Sequence, residues 1–265
     1  MKESLFTNGG GTIIGMVHAL PLPGSAGYDG DFDRIMDQAV FDAKTLEAAG
    51  VDAVIVENMG DSPFTALMNK RQVAALTAIA VKVRDAITIP MGVDAAFCDP
   101  EAALAIAAVS GAGFIRDAVF VDTVVFTDGI IYPTANEVIT LRNQLGLRDK
   151  VKILADVQVK HTQMLVPDVP IEKSLGDAIG NGADGIIVTG AACGMETPID
   201  VIRRAKELVK VPVLAGSGVN TGNIAQQLQI ADGCIVGSSL KEGGVLSNPI
   251  DFDKTKALVD AWKNR

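Results

Sequence analysis

Cysteine is scarce in this chain, and so are histidine, aromatic residues and clusters of positive charge. Among the 265 residues there are three cysteines, Cys98, Cys193 and Cys234. They are widely spaced, odd in number and without a CxxC pair. That excludes a disulfide framework and a structural zinc site, and it fits a reducing cytoplasm. The formal net charge is −9 and no basic cluster occurs, which argues against a nucleic-acid partner. No apolar run approaches the ~18 residues of a membrane helix, so no transmembrane segment is expected. The most apolar helical stretch, Val73 to Val83, is bracketed by Lys70, Arg71, Lys82 and Arg84. The first ten residues show no signal-peptide h-region. No Pro/Ser-rich linker or charge block divides the chain, so the expectation is one cytoplasmic domain over residues 1–265.

What is abundant is apolar residue, 48% of the chain, with mean hydropathy +0.30. Parallel strands buried on both faces account for such a figure. Short apolar runs alternate with longer amphipathic ones. They predict strands over 12–17, 53–57, 89–93, 114–116, 152–156, 185–189, 211–215 and 234–236. Helices are predicted over 31–49, 63–86, 99–110, 134–147, 170–181, 198–209, 221–229 and 249–263. Asp99, Thr134 and Thr221 suit N-caps, and Pro63, Pro100 and Pro198 suit first turns. Gly50, Gly111, Gly146 and Gly182 suit C-caps. The phrases Ala49-Gly-Val-Asp-Ala53, Ser110-Gly-Ala-Gly113, Asn181-Gly-Ala-Asp-Gly185 and Ala231-Asp-Gly233 recur as helix stops just before strands. Eight βα units in order imply a parallel sheet and the size of a single (β/α)8 TIM barrel. A doubly wound open sheet is the runner-up.

In such a barrel the working end is the C-terminal face of the strands. The predicted strand ends there are polar: His18, Glu57 with Asn58, Asp94, Arg116 with Asp117, Asp156, and Thr189. Both histidines of the chain, His18 and His161, fall at this end. Clustered carboxylates push one pKa up, so Glu57, Asp94 and Asp156 are candidates for general acid/base work with His18, His161 or Lys160. With His18 the same carboxylates are candidate ligands for a divalent metal ion. The plainer reading pairs each carboxylate with Arg116, Lys160 or a helix N-terminus. Arg116, Asn58 and Thr189 are candidate substrate contacts. The sixth predicted strand carries no lysine for a Schiff base, and Lys160 and Lys241 are placed in loops near the mouth. Cys193 is read as a small buried thiol rather than a nucleophile.

The last two strands each end in a glycine-serine turn, Gly216-Ser217-Gly218 and Gly237-Ser238-Ser239. Each is expected to open into a helix or short turn, and backbone N–H groups there bind anions. At these barrel positions the pair predicts a phosphate site. A dinucleotide reading fails, because the last glycine is displaced and no acidic residue ends a following strand. Two long loops, 19–30 and 117–133, are candidates for lids or for an oligomer arm. The second carries Phe120, Phe126 and Tyr132 in a chain with 5% aromatics.

Several motifs resemble the BtpA/SgcQ family. They are Gly15-Met-Val-His-Ala-Leu-Pro-Leu-Pro-Gly-Ser25, Val56-Glu-Asn-Met-Gly-Asp-Ser-Pro-Phe64, Ala155-Asp-Val-Gln-Val-Lys-His161 and Ala183-Asp-Gly-Ile-Ile-Val-Thr-Gly190. The two C-terminal glycine turns match as well, so the resemblance spans nearly the whole chain. It implies a TIM barrel related to phosphate-binding barrels. One branch of the family is named for photosystem I biogenesis, and another resembles proteins encoded among carbohydrate genes. Where the family has an Asn and Arg-containing run after the third strand, this chain has Gly92-Val-Asp-Ala-Ala-Phe-Cys-Asp99, and Gln158 replaces a histidine. The preferred reading is an enzyme on a small phosphorylated metabolite, a sugar phosphate, working by isomerase, epimerase or lyase proton transfer. A non-catalytic assembly or regulatory factor is the alternative, and a phosphate-ester or nucleoside-phosphate hydrolase the third. No P-loop supports NTPase chemistry.

Overall fold

The structure is a computed structural model that describes residues 5–6, 11–190 and 195–264. Cys193 lies outside the described residues. Eight parallel strands close into a barrel in the order β1-β11-β10-β9-β7-β4-β3-β2. They are β1 Thr12–His18, β2 Ala53–Glu57, β3 Met91–Asp94, β4 Phe114–Asp117, β7 Lys152–Asp156, β9 Gly185–Val188, β10 Val213–Ala215 and β11 Gly233–Val236. Around them lie α1 Phe32–Ala49, α2 Lys70–Ala86, α3 Pro100–Ser110, α4 Ala135–Gln144, α5 Ile171–Gly180, α6 Ile199–Leu208, α7 Ile224–Leu228 and α8 Phe252–Lys263. The expected TIM barrel is therefore present. One apolar cluster fills the space between strands and helices. A second fills the barrel itself, with Leu5 and Phe6 packed against it.

The recurrent aspartate before a strand has a physical role at the N-terminal end of the barrel. Asp52 accepts from Ile13 N at 2.8 Å, Asp184 from Ile153 N at 3.0 Å and Asp232 from Val213 N at 2.8 Å. Each also pairs with a cation: Lys263, Arg142 with Lys152, and Lys206. Each carboxylate thus closes a strand edge that the barrel's stagger leaves unpaired.

Several predicted boundaries shift. Helix α2 begins at Lys70, not at Pro63, because Asn69 and Gln72 form a capping box there. Residues 61–64 instead line the barrel mouth. Helix α7 has 5 residues and starts after Asn223 rather than at Thr221. Asn220 N donates to the Asn223 side chain at 2.8 Å, and that side chain donates to Gly218 O at 2.9 Å. These local bonds compete with a helical turn. Thr134 stands at the N-cap of α4 but makes no cap bond, because its hydroxyl donates to Asp117.

The two long loops also differ from each other. Loop 19–30 is a fixed strap: Leu20 and Leu22 are buried, and Leu22 N donates to Asp61 at 2.7 Å. Loop 117–133 contains the hairpin β5 Val124–Phe126 and β6 Gly129–Ile131. With β8 Gln163–Met164 it makes a small antiparallel sheet, order β6-β5-β8. Its three aromatics part company: Phe120 is core, Tyr132 is exposed, and Phe126 faces the mouth.

Candidate active site at the barrel mouth

Alternation turns every second side chain of a strand into the barrel. Met16, Ile55, Phe114, Leu154, Ile187, Leu214 and Ile235 form the inward apolar cluster with Ile14 and Ala53. Two residues further along each of those strands stand His18, Glu57, Arg116, Asp156, Thr189, Gly216 and Gly237. On β3, Asp94 follows the inward Gly92, over which the Phe114 ring leans. So a step of two residues converts an apolar plug into a polar ring on six strands and an open glycine edge on two.

His18, Glu57 and Asp94 are direct register partners on three adjacent strands. The His18 Nε2 lies 3.4 Å from Glu57 Oε2, and its Nδ1 has no hydrogen-bond partner among the described residues. Arg116 donates twice to Asp156, both at 2.8 Å, and reaches Asp94 at 3.5 Å. All these groups are nearly covered, and burial set against neighbouring charges drives the titration of Glu57 and Asp94 apart. Burial raises Glu57, but the His18 hydrogen bond and the charges of His18, Arg116 and Lys160 outweigh it and hold the carboxyl below its usual range. Burial, together with the neighbouring Glu57 charge, pushes Asp94 well above its usual range. For Arg116 burial opposes the charge, yet Asp156, Asp94 and Glu57 hold it more firmly protonated than usual. Burial and the Lys160 charge lower His161, which sits half-open at the rim. Burial lifts Asp117 to about 6, against hydrogen bonds from Thr134, Cys98 and Val119.

These groups open on a cavity of about 1060 Å³. His18, Glu57, Asp94, Arg116, Lys160 and His161 line it, as do Gly216, Ser217, Gly218, Gly237, Ser238 and Ser239. Three sequence candidates do not line it. Asp156 lies beneath Arg116, and Thr189 accepts from Lys160 N at 3.1 Å. Asn58 braces the loops, donating to Asp61 at 2.7 Å and accepting from Ala96 N at 2.8 Å. Ala96, Gln158 and His161 have positive φ of 51°, 47° and 67°, so the loops beside the site hold a backbone form that side chains disfavour. Lys241 is not at the mouth either. It is fully buried and bonds Asp42 at 2.6 Å, 199 residues away in the chain. The metal reading loses a ligand to Arg116, and among the described residues no three His, Cys, Asp or Glu side chains are grouped to hold a metal ion.

The glycine corner also differs from expectation. The turns are adjacent because β10 pairs β11, but neither opens directly into a long helix. Gly218 has φ 69°, and a Cβ on it would sit 2.3 Å from Glu196 N. A Cβ on Gly237 would sit 2.8 Å from His18 Cε1. Ser217 accepts from Gly190 N at 2.8 Å and donates to Met195 O at 3.1 Å, and Ser239 donates to Val219 O at 2.8 Å. Of the three serines, Ser238 alone presents a hydroxyl with no hydrogen bond to the described residues. The wall opposite carries Phe64, Phe97 and Phe126. Only Phe126 was prefigured, by its place in an aromatic-bearing loop.

The family model described as the BtpA family matches residues 10–264. The chain is 42% identical to the uncharacterized protein MJ1115 of Methanocaldococcus jannaschii, over 94% of each chain. It is 38% identical to the photosystem I biogenesis protein BtpA of Synechocystis, over 94% of this chain and 87% of that one. Among solved structures, (S)-3-O-geranylgeranylglyceryl phosphate synthase from Thermoplasma acidophilum, in complex with its substrate sn-glycerol-1-phosphate, superposes with TM-score 0.63 at 15% identity. That match covers 97% of this chain and 95% of the other. No helix among the described residues is long and apolar enough to cross a membrane.

Proposed function

The chain belongs to the BtpA family, and from that membership and the geometry of the mouth we propose that it is an enzyme acting on a small phosphorylated metabolite, a sugar phosphate, by proton transfer next to a carbonyl. The observation that carries this reading is the adjacent pair Glu57 and Asp94, whose environments push them in opposite directions. A carboxyl held ionised beside one held protonated is a base and an acid in one rung of the barrel. Glu57 takes the proton, Asp94 supplies one to the carbonyl oxygen, and His18 holds Glu57 in place and in charge. Arg116 fixes the floor through Asp156. The open glycine edge with Ser238 is where the phosphate anchors. The barrel neighbour's glycerol phosphate substrate is in keeping with that.

Solvent deuterium incorporation into a panel of sugar phosphates, followed by proton NMR, tests it. Glu57→Gln and Asp94→Asn should each slow exchange about 100-fold or more while the melting temperature holds. Undiminished exchange in both variants, or none in the wild type with sugar phosphates that bind, would overturn it. The name of the Synechocystis relative favours a second reading, a non-catalytic assembly factor. Under that reading a partner stays bound to the Glu57/Asp94/Asp156→Ala triple variant.

A further inference from the structure

Proton transfer on a sugar phosphate leaves one side of the cavity without a role. The glycine turns follow β10 and β11. Across the ring of strands from them lie β3 and β4, with β2 beside them. The loops after β2, β3 and β4 contribute Phe64, Phe97 and Phe126 to the cavity wall. The Phe97 and Phe126 rings are stacked, with centroids 4.0 Å apart and planes within 9°. The core phenylalanines Phe114 and Phe120 are 1% and 0% exposed, whereas all three wall residues are only partly covered. Since they also line the cavity, they keep surface toward it that no described residue covers. Three of the nine phenylalanines of the chain gather here, in a chain otherwise poor in aromatics. At about 1060 Å³ the cavity also exceeds what a bare sugar phosphate fills.

We infer that the ligand is a phosphomonoester whose far end is a flat ring, an aryl or heteroaryl group. The phosphate lies at the glycine corner, the ring packs against Phe64, Phe97 and Phe126, and the reacting carbons between them pass over Glu57 and Asp94. Flat faces offered by aromatic side chains favour stacked or edge-on rings over saturated groups of equal size. The inference rests on the phosphate reading above and adds the opposite end of the molecule.

Calorimetric titration of the full chain with four probes separates the two: propyl phosphate, 3-phenylpropyl phosphate, 3-cyclohexylpropyl phosphate and 3-phenylpropanol. The phenyl ester should bind roughly tenfold tighter than the propyl ester and several-fold tighter than the cyclohexyl ester. In Phe126→Leu that advantage should shrink toward unity, with propyl phosphate affinity and melting temperature unchanged. Equal affinity for the propyl and phenyl esters overturns the aromatic end and leaves the phosphate reading standing. Equal affinity for the phenyl and cyclohexyl esters shows an apolar wall without ring selectivity, and also overturns it. Equal affinity for phenylpropanol and its phosphate ester removes the phosphate reading instead.

Discussion

The two ends of this barrel set carboxylates in opposite surroundings. At the N-terminal end Asp52, Asp184 and Asp232 are partly open to solvent, and each accepts a strand N–H and pairs with Lys or Arg. At the C-terminal end Glu57 and Asp94 are 8% and 5% exposed, stand beside each other, and are pushed apart in titration. The lesson is that an acidic residue beside a barrel strand has no meaning by type. Its end of the strand, its burial and its nearest charge decide whether it holds the fold or does chemistry.

The strongest break between the ends is a double dissociation. Glu57→Gln should lower turnover by two or more orders of magnitude and leave urea unfolding nearly unchanged. Lys241→Met comes next, because Lys241 follows the last barrel strand yet is paired with a carboxylate, like the cations at the base. It is 0% exposed and its partner Asp42 also accepts from Ile250 N. Removing the cation leaves Asp42 buried and unpaired, at a cost of about 3–5 kcal/mol. The double variant Asp42→Leu/Lys241→Met should recover most of that, and a double variant as unstable as the single one would contradict the account. Asp232→Ala follows: loss of the bonds to Val213 N and Lys206 should cost about 2 kcal/mol, with turnover per folded molecule unaffected. A turnover loss there beyond the unfolded fraction would erase the difference between the ends.

How far the sequence discloses this depends on the range of the interactions. The strands and their polar ends are local: Ile13-Ile-Gly-Met-Val-His18 reads as a buried strand ending in a polar group, and β1 is buried throughout and ends in His18, which lines the cavity. The Asn69–Gln72 capping box is equally local but is masked by the attraction of Pro63 as a first-turn residue. Each strand of the β5–β6 hairpin has 3 residues, too few for alternation to show. The Asp42–Lys241 pair is 199 residues apart, and nothing near either residue announces the other. Asn58 and Asp156 sit at strand ends as a site residue does, yet Asp61 and Arg116 claim them. Position along a strand was legible. Which neighbour takes up a side chain's hydrogen bonds is a tertiary fact.

Asp117 sharpens the comparison at its smallest scale, since it is an acid at the mouth end that does not line the cavity. It is 1% exposed and takes hydrogen bonds from Thr134 Oγ1 at 2.7 Å, Val119 N at 3.2 Å and Cys98 Sγ at 3.5 Å. Burial still dominates and lifts its carboxyl from 3.8 to about 6. The folded chain therefore binds a proton that the unfolded chain has released over that interval. Stability from this group is present below pH 3.8 and is lost as pH rises through about 6. Asn at this position can accept from Val119 and Cys98, while the Thr134 hydroxyl turns to Val119 O, already 3.1 Å away. Asp117→Asn should accordingly raise stability by about 1 kcal/mol at pH 8, and the gain should vanish near pH 4. Urea unfolding at the two pH values measures it. A variant destabilised at pH 8 would mean that the charge of Asp117 is held for a purpose, and would move it from the structural acids to those of the site.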